Sequence, residues 1–178
     1  GTFEPAIADL KRKEAQLGTE YAEILAGIEI DFQGQTINLS TLRGFFGHAD
    51  RSIRHAAQIK RSDALGAVSK DLDRIYHALV SVRHEMATTL GYENFVPLGY
   101  GRMDRTDYNA TDVAAFRAQV RDHVVPLASR IYARRAEALG IDSVSFHDET
   151  VRDLRGVPRP NGDEDWMMQQ AHGLFDAL

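Results

Sequence analysis

The stretch Val68-Ser69-Lys70-Asp71-Leu72-Asp73-Arg74-Ile75-Tyr76-His77-Ala78-Leu79-Val80-Ser81-Val82-Arg83-His84-Glu85-Met86-Ala87-Thr88-Thr89-Leu90-Gly91 decides the fold class. Val68, Leu72, Ile75, Leu79, Val82, Met86 and Leu90 follow one another at steps of four or three. That spacing returns to the same side of a 3.6-residue helix, so it predicts an amphipathic helix over residues 67–90. Gly91 then stands where a left-handed residue ends a helix.

Just beyond lies a stretch of a different kind, from Leu90 to Tyr108. It contains Gly91, Gly99, Gly101 and Pro97, but also Tyr92, Phe95, Tyr100 and Tyr108. Flexible linkers carry few large apolar groups, and four aromatic rings need burial, so these residues predict an ordered connection with its own packing. After it, Thr111 is placed to cap a helix bearing Val113, Phe116, Val120, Val124, Leu127 and Ile131, which ends near Leu139 with Gly140 as its stop. Pro126 lies inside that helix, where a lost hydrogen bond and a clash with the preceding turn predict a kink near residues 122–126.

Upstream, Leu10, Leu17, Tyr21, Ile24 and Ile28 mark one face of a helix from about Glu4 to Ala26, weakened in the middle by Gly18. Ile28-Glu29-Ile30-Asp31-Phe32 alternates, Gln33-Gly34-Gln35 turns, and Thr36 to Leu39 returns, which predicts one small β-hairpin. Ser40 is read as the cap of a short helix through Phe46, and Asp50 as the cap of the next, with Ile53, Ala56, Ala57 and Ile59 on it and Gly66 near its end. Residues 141–160 have no sustained period and include Pro158 and Pro160. Asn161-Gly162 then turns into a last helix opened by Asp163, Glu164 and Asp165. The fold expected is mostly α, five to six helices with one small β-hairpin, in a single helical domain over 1–178. Its parts are an N-terminal helix, hairpin and short helix at about 1–49, a long-helix core at about 50–140, and an irregular segment with a terminal helix at about 141–178.

The 178 residues, 43% hydrophobic and 26% charged, suit one globular domain with a sizeable core. A net charge of -5 argues against a general nucleic-acid binder, because phosphate contacts need a basic surplus. No apolar run approaches the roughly 20 residues of a membrane helix. The absence of cysteine excludes disulfides and thiol chemistry and fits a reducing compartment. Residue 1 is Gly, and the chain stops on Leu174-Phe175-Asp176-Ala177-Leu178 in mid-pattern, which reads as a piece of something longer.

Candidate chemistry is sparse. His84-Glu85-Met86-Ala87-Thr88 begins like the zinc-protease pattern H-E-x-x-H, but Thr88 stands where the second histidine is required. Asp73, His77 and His84 share one helix, where His77 and His84 with Asp73 form a conceivable metal pair and a polar stripe explains them as well. Arg51, Arg54, His55, Lys60 and Arg61 form a basic cluster whose default reading is a solvated face. Arg102 and Arg105, beside Asp104 and Asp107, are read as an ion-pair network pinning the loop, with contact to a peptide as the alternative. No catalytic and no metal-binding residue is assigned.

A resemblance adds to this reading. Arg83 to Leu90, Gly91-Tyr92-Glu93-Asn94-Phe95, Tyr100, Arg102-Met103, Arg105, Asp107-Tyr108, Asp112-Val113, Phe116-Arg117, Val120 and Val124-Val125-Pro126-Leu127 together resemble oligoendopeptidase F, of the thimet-oligopeptidase-like zinc metallopeptidases. Phe32-Gln33-Gly34 with Leu39 and Leu42, and Asp50-Arg51-Ser52-Ile53-Arg54, are similar to upstream segments of the same family. The resemblance implies the N-terminal, non-catalytic portion of a cytoplasmic zinc oligopeptidase, a largely helical, cleft-containing fold acting on short peptides. The H-E-x-x-H site and the downstream Glu ligand would follow this portion, so no zinc is expected on the chain itself and the chain alone is expected to be inactive. Tyr100, Arg102, Arg105 and Tyr108 are the residues expected to touch substrate. The rival reading is a free-standing helical interaction module for a protein partner. Trp166, Met167, Leu174, Phe175 and Leu178 on the terminal helix predict self-association of the isolated chain.

Overall fold

The structure, a computed structural model, describes residues 4–151 and 161–176. It is mostly α with one hairpin. A 3-10 turn at Pro5–Ile7 leads into α1 (Ala8–Ala26), and the hairpin strands β1 (Ile30–Phe32) and β2 (Gln35–Ile37) follow. Next come α2 (Leu39–Leu42), continued by a 3-10 turn at Arg43–Gly47, then α3 (Arg51–Ala67) and α4 (Ser69–Thr89). The C-terminal part comprises α5 (Phe95–Arg102), α6 (Ala110–Gln119), α7 (Val125–Leu139) and α8 (Glu164–Asp176), with a 3-10 turn at Phe146–Asp148.

The stretch that predicted a helix over 67–90 is α4, and its apolar stripe builds the first core. Ile75, Val82, Met86 and Ala87 are buried with Ile7, Leu17 and Leu98, and Leu10, Ile24, Leu79, Tyr92 and Phe95 pack around them. α1 lies antiparallel along α4: Glu14 meets Arg83 and, further along α1, Glu20 meets Arg74. Gly91, at φ +83°, closes α4 with Gly91 N–H donating to Thr88 O and Tyr92 N–H to Ala87 O, a reciprocal pair that satisfies carbonyls left open by the last turn. Gly18 does not interrupt α1.

The second core joins the hairpin to α3. Ile28, Ile30, Phe32, Leu42 and Ala57 are buried, and Phe45 stands edge-on to Phe32 at 5.0 Å. Ile30 pairs with Ile37, Asp31 with Thr36 and Phe32 with Gln35, so the connection is the two residues Gln33 and Gly34, both at positive φ (54° and 75°). That conformation matches the right-handed twist of the strands.

Several boundaries differ from expectation for local reasons. Asn38, not Ser40, caps α2, its Oδ1 accepting from Thr41 N–H at 2.9 Å; this ends β2 earlier than Leu39. Asp50 caps α3 as expected, but α3 runs through Gly66 and the break comes at Val68. Asn109, not Thr111, caps α6: its Oδ1 accepts from Thr111 N–H, while Asp112 accepts from Asn109 N–H, a complete capping box. The helix expected from Thr111 to Leu139 divides at a π turn, Val120–Val124, immediately before Pro126. The wider turn absorbs the carbonyl that the proline ring would otherwise strike and the hydrogen bond it cannot donate. That division and the unexpected α5 bring the α-helices among the described residues to eight. Pro158 and Pro160 lie outside the described residues.

Candidate functional site

The central stretch is an ordered connection, as expected, but Phe95–Arg102 within it is a helix, and Tyr108, expected to be buried, is 44% exposed. Asn94 Oδ1 accepts from Val96 N–H at 2.9 Å and starts α5, and Pro97 sits in the first turn, where a missing N–H costs nothing. Leu98 is buried in the first core, which seats α5 on α4. Gly99 passes the Phe95 ring so closely that a Cβ there would lie 3.3 Å from Cε1. Asp104, at φ +53°, ends the helix, and Arg105 N–H returns to Tyr100 O at 3.1 Å.

This geometry separates the four candidate residues. Arg102 faces the core: its Nη2 donates to Glu14 Oε2 at 2.8 Å and its Nη1 to Glu14 Oε1 at 3.1 Å, while Arg83 Nε donates to Oε1 at 2.8 Å. Both guanidinium carbons lie 5.7 Å from the Phe95 ring centroid. Burial raises the Glu14 pKa, but Arg102 and Arg83 outweigh it, so the carboxyl is held below its ordinary value. The expected network among Arg102, Arg105, Asp104 and Asp107 is therefore not formed; Glu14, 88 residues away in sequence, takes Arg102, and Asp107 accepts from Thr106 Oγ1 at 2.7 Å. Arg102 is a structural pin between α1, α4 and α5.

Tyr100, Arg105 and Tyr108 are brought together elsewhere. The Arg105 guanidinium lies 5.2 Å from the Tyr100 ring centroid and 5.9 Å from that of Tyr108, and the two rings meet edge-on at 6.3 Å. They line a groove of about 560 Å³ with Val96, Pro97 and the start of α6. Arg105 and Tyr108 also border a second groove of about 360 Å³, with Asp112, Val113 and Phe116. Arg105 and Tyr108 thus form a ridge between two concavities, and Tyr100 lines the first of them.

The basic cluster divides: His55, Lys60 and Arg61 are exposed, as a solvated face requires, whereas Arg51 and Arg54 are drawn to a carboxylate. Asp148 is fully buried and accepts from Arg51 Nε (3.0 Å) and Nη2 (2.9 Å), Arg54 Nη2 (2.9 Å) and Ser145 N–H (3.1 Å). Arg54, only 4% exposed, also donates to His48 O, Ala49 O and His147 O. The Arg51 bond leads in holding the Asp148 carboxyl far below the usual carboxylate range, against its burial. Arg135 of α7 closes the knot by donating to Asp148 O and Val151 O. His147, beside this knot, is half-buried with its Nδ1 unpartnered among the described residues, and desolvation lowers its pKa.

Sequence reasoning missed both carboxylates. Glu14 had a signal, since it stands four residues after Leu10 and three before Leu17, a charge on an apolar stripe. Asp148 had none, lying in a segment without period. At His84-Glu85, Thr88 Oγ1 bonds His84 O at 3.2 Å, and among the described residues no three His, Asp or Glu side chains converge as metal ligands.

No known family profile matches the chain, and no curated protein does. Solved structures do. A structure described as oligoendopeptidase F from Bacillus anthracis str. Ames is 37% identical, with a TM-score of 0.87 over 99% of this chain and 32% of its own. A second oligoendopeptidase F structure is 37% identical at TM-score 0.89, and a PZ peptidase A solved with an inhibitor is 36% identical at 0.90; each is matched over 99% of this chain and 31% of its own. The chain spans about a third of the length of these structures. Over the stretch it spans, with the hairpin, α4 and α5 inside the aligned length, this chain thus shares its sequence and fold with part of the oligoendopeptidase F and PZ peptidase structures.

Proposed function

We propose that this chain is the N-terminal, non-catalytic portion of a cytoplasmic zinc-dependent oligoendopeptidase, and that it serves as scaffold and as part of the wall of the cleft that takes short peptides. The observation that carries this reading is 36–37% identity across nearly the whole chain to about a third of each matched structure. When bound, zinc would supply a polarised peptide carbonyl and a water acidic enough to attack it. In this reading the H-E-x-x-H site and the bond-breaking step belong to the part of the peptidase that follows, and this chain's part is to hold the cleft.

Two features support a scaffold role. Glu14 and Asp148 each gather two arginines from distant parts of the chain, which fixes α5 on α1 and α4, and the Phe146–Asp148 turn on α3. The α6–α7 arm meanwhile carries Phe116, Val124, Leu127 and Ile131 exposed, Phe116 at 64%, an apolar face suited to burial against the rest of such a peptidase. The reading frame tests the proposal. Continuation beyond Leu178 into H-E-x-x-H is expected; a stop codon directly after Leu178 would favour a free-standing module instead.

A further inference from the structure

Among the described residues, the cation of the α5 ridge has no answering carboxylate. Arg83 and Arg102 share Glu14, and Arg51 and Arg54 share Asp148, whereas Arg105 forms no ion pair among the described residues. Its sequence neighbours do not fill the vacancy: Asp107 accepts from Thr106, and Asp112 is committed to the capping box. Instead Tyr100 and Tyr108 hold the guanidinium by its π contacts. A guanidinium placed over aromatic rings keeps in-plane N–H donors for a planar, bidentate acceptor, and the rings fix its direction in advance.

The groove beside it has the complementary character. Val96, Pro97 and the two tyrosine rings are apolar walls, and its volume of about 560 Å³ lies within the roughly 300–1,000 Å³ of small-ligand sites. Asn109, Ala110 and Thr111 bring the positive end of α6 to the same groove, moderated by Asp112. One fixed cation among apolar surfaces suits a carboxylate attached to an apolar or aromatic residue.

We infer that this groove binds a carboxylate of a peptide, with Arg105 as a specificity-determining residue and Tyr100 and Tyr108 positioning it. The inference rests on the peptidase reading for its ligand class. The carboxylate has two sources in a peptide, the C-terminus and an acidic side chain, and both would present the same two oxygens to the guanidinium.

Full-length enzyme decides it with matched substrates. One peptide is compared as its C-terminal acid and its amide; a second, amidated, is compared with Glu and with Gln at one position. Wild type is expected to favour the carboxylate form of at least one pair by roughly tenfold in kcat/KM, carried mainly by KM. The pair that discriminates names the source. Arg105→Met is expected to bring that carboxylate form down to the level of its neutral partner, while the neutral partner stays within about twofold; Arg105→Lys is expected to retain part of the preference. Equal rates within both wild-type pairs would overturn the inference without needing any variant. So would an Arg105→Met enzyme that loses acid and neutral forms alike, or one that only melts lower, which would assign Arg105 to an acidic group elsewhere in the parent. If the full-length protein cleaves no peptide, the peptidase reading fails by itself. Calorimetric binding of an acetylated dipeptide and its amide then still tests the groove: a preference lost in Arg105→Met supports it, and equal binding sinks it.

Discussion

Replacing Asp148 by Asn changes one atom at the point where α3, the Phe146–Asp148 turn and α7 are tied together. Asp148 accepts four hydrogen bonds, two on each oxygen: Arg51 Nε and Arg54 Nη2 on Oδ1, and Arg51 Nη2 and Ser145 N–H on Oδ2. An amide nitrogen in place of either oxygen turns two of these into donor against donor. The larger loss is the countercharge of Arg54, whose side chain is 5% exposed and cannot be rehydrated without opening the fold. Removing one member of a buried pair costs roughly 3–5 kcal/mol, and the half-exposed Arg51 adds little because water replaces its partner. We expect Asp148→Asn to lower the unfolding free energy of the protein that carries this chain by about 3–5 kcal/mol in urea titrations, with an unchanged slope. Adding Arg54→Met should cost less than the sum of the two single losses, since the stranded charge leaves with it even though the His48, Ala49 and His147 carbonyls lose their donor. A loss below about 1 kcal/mol, or strictly additive single variants, would refute the argument that the pair acts as a buried unit.

Glu14→Gln should cost less, roughly 1–3 kcal/mol, because Arg83 is partly exposed and can turn to water; chemical denaturation measures it. Leu98→Ala, in the first core, should cost about 2–5 kcal/mol by the same assay. Acid should destabilise in two steps. His147 is depressed below 6.5, so as pH falls through 6.5 the unfolded chain takes up a proton before the folded one does, and stability declines. Asp148 and Glu14 are depressed below 3.8 and 4.5, so the stability they add is present above those values and is lost as pH falls toward their folded values. Melting temperature against pH shows both steps, and His147→Phe should flatten the first while leaving the second. The isolated chain should self-associate through α8, where Trp166, Met168, Leu174 and Phe175 stand exposed, Phe175 at 82%; concentration-independent sedimentation as a monomer would contradict this.

The parts of the fold that were legible in sequence are those where one periodic signal ran unopposed. The stripe from Val68 to Leu90 left α4 no other way to bury seven apolar side chains, and Gln33-Gly34 left the hairpin one turn. Caps were misplaced by two residues where two capable side chains competed: Asn38 against Ser40, Asn109 against Thr111. Asn won each time, its cap ending the preceding extended segment. α5 was hidden because Pro97, Gly99 and Gly101 all signal turns, yet Pro97 falls in the first helical turn and Gly99 is needed for the Phe95 ring. The site was legible only in part. Tyr100, Arg105 and Tyr108 stood out because a connection rich in rings needs a reason, and the structure brings them together, whereas the partners of Arg102 and Arg54 lie 88 and 94 residues away, beyond any local pattern.

The central claim is that this chain is one part of a zinc oligoendopeptidase, and peptide hydrolysis tests it most directly. The full-length protein and this chain alone are incubated with the same short peptides and the products read by mass spectrometry, with chelator and with zinc restored. The account predicts cleavage by the full-length protein, lost on chelation and recovered with zinc, and none by this chain. Cleavage by this chain alone that disappears when His84 and Glu85 are replaced, or a full-length protein that cleaves nothing under any of these conditions, would contradict it.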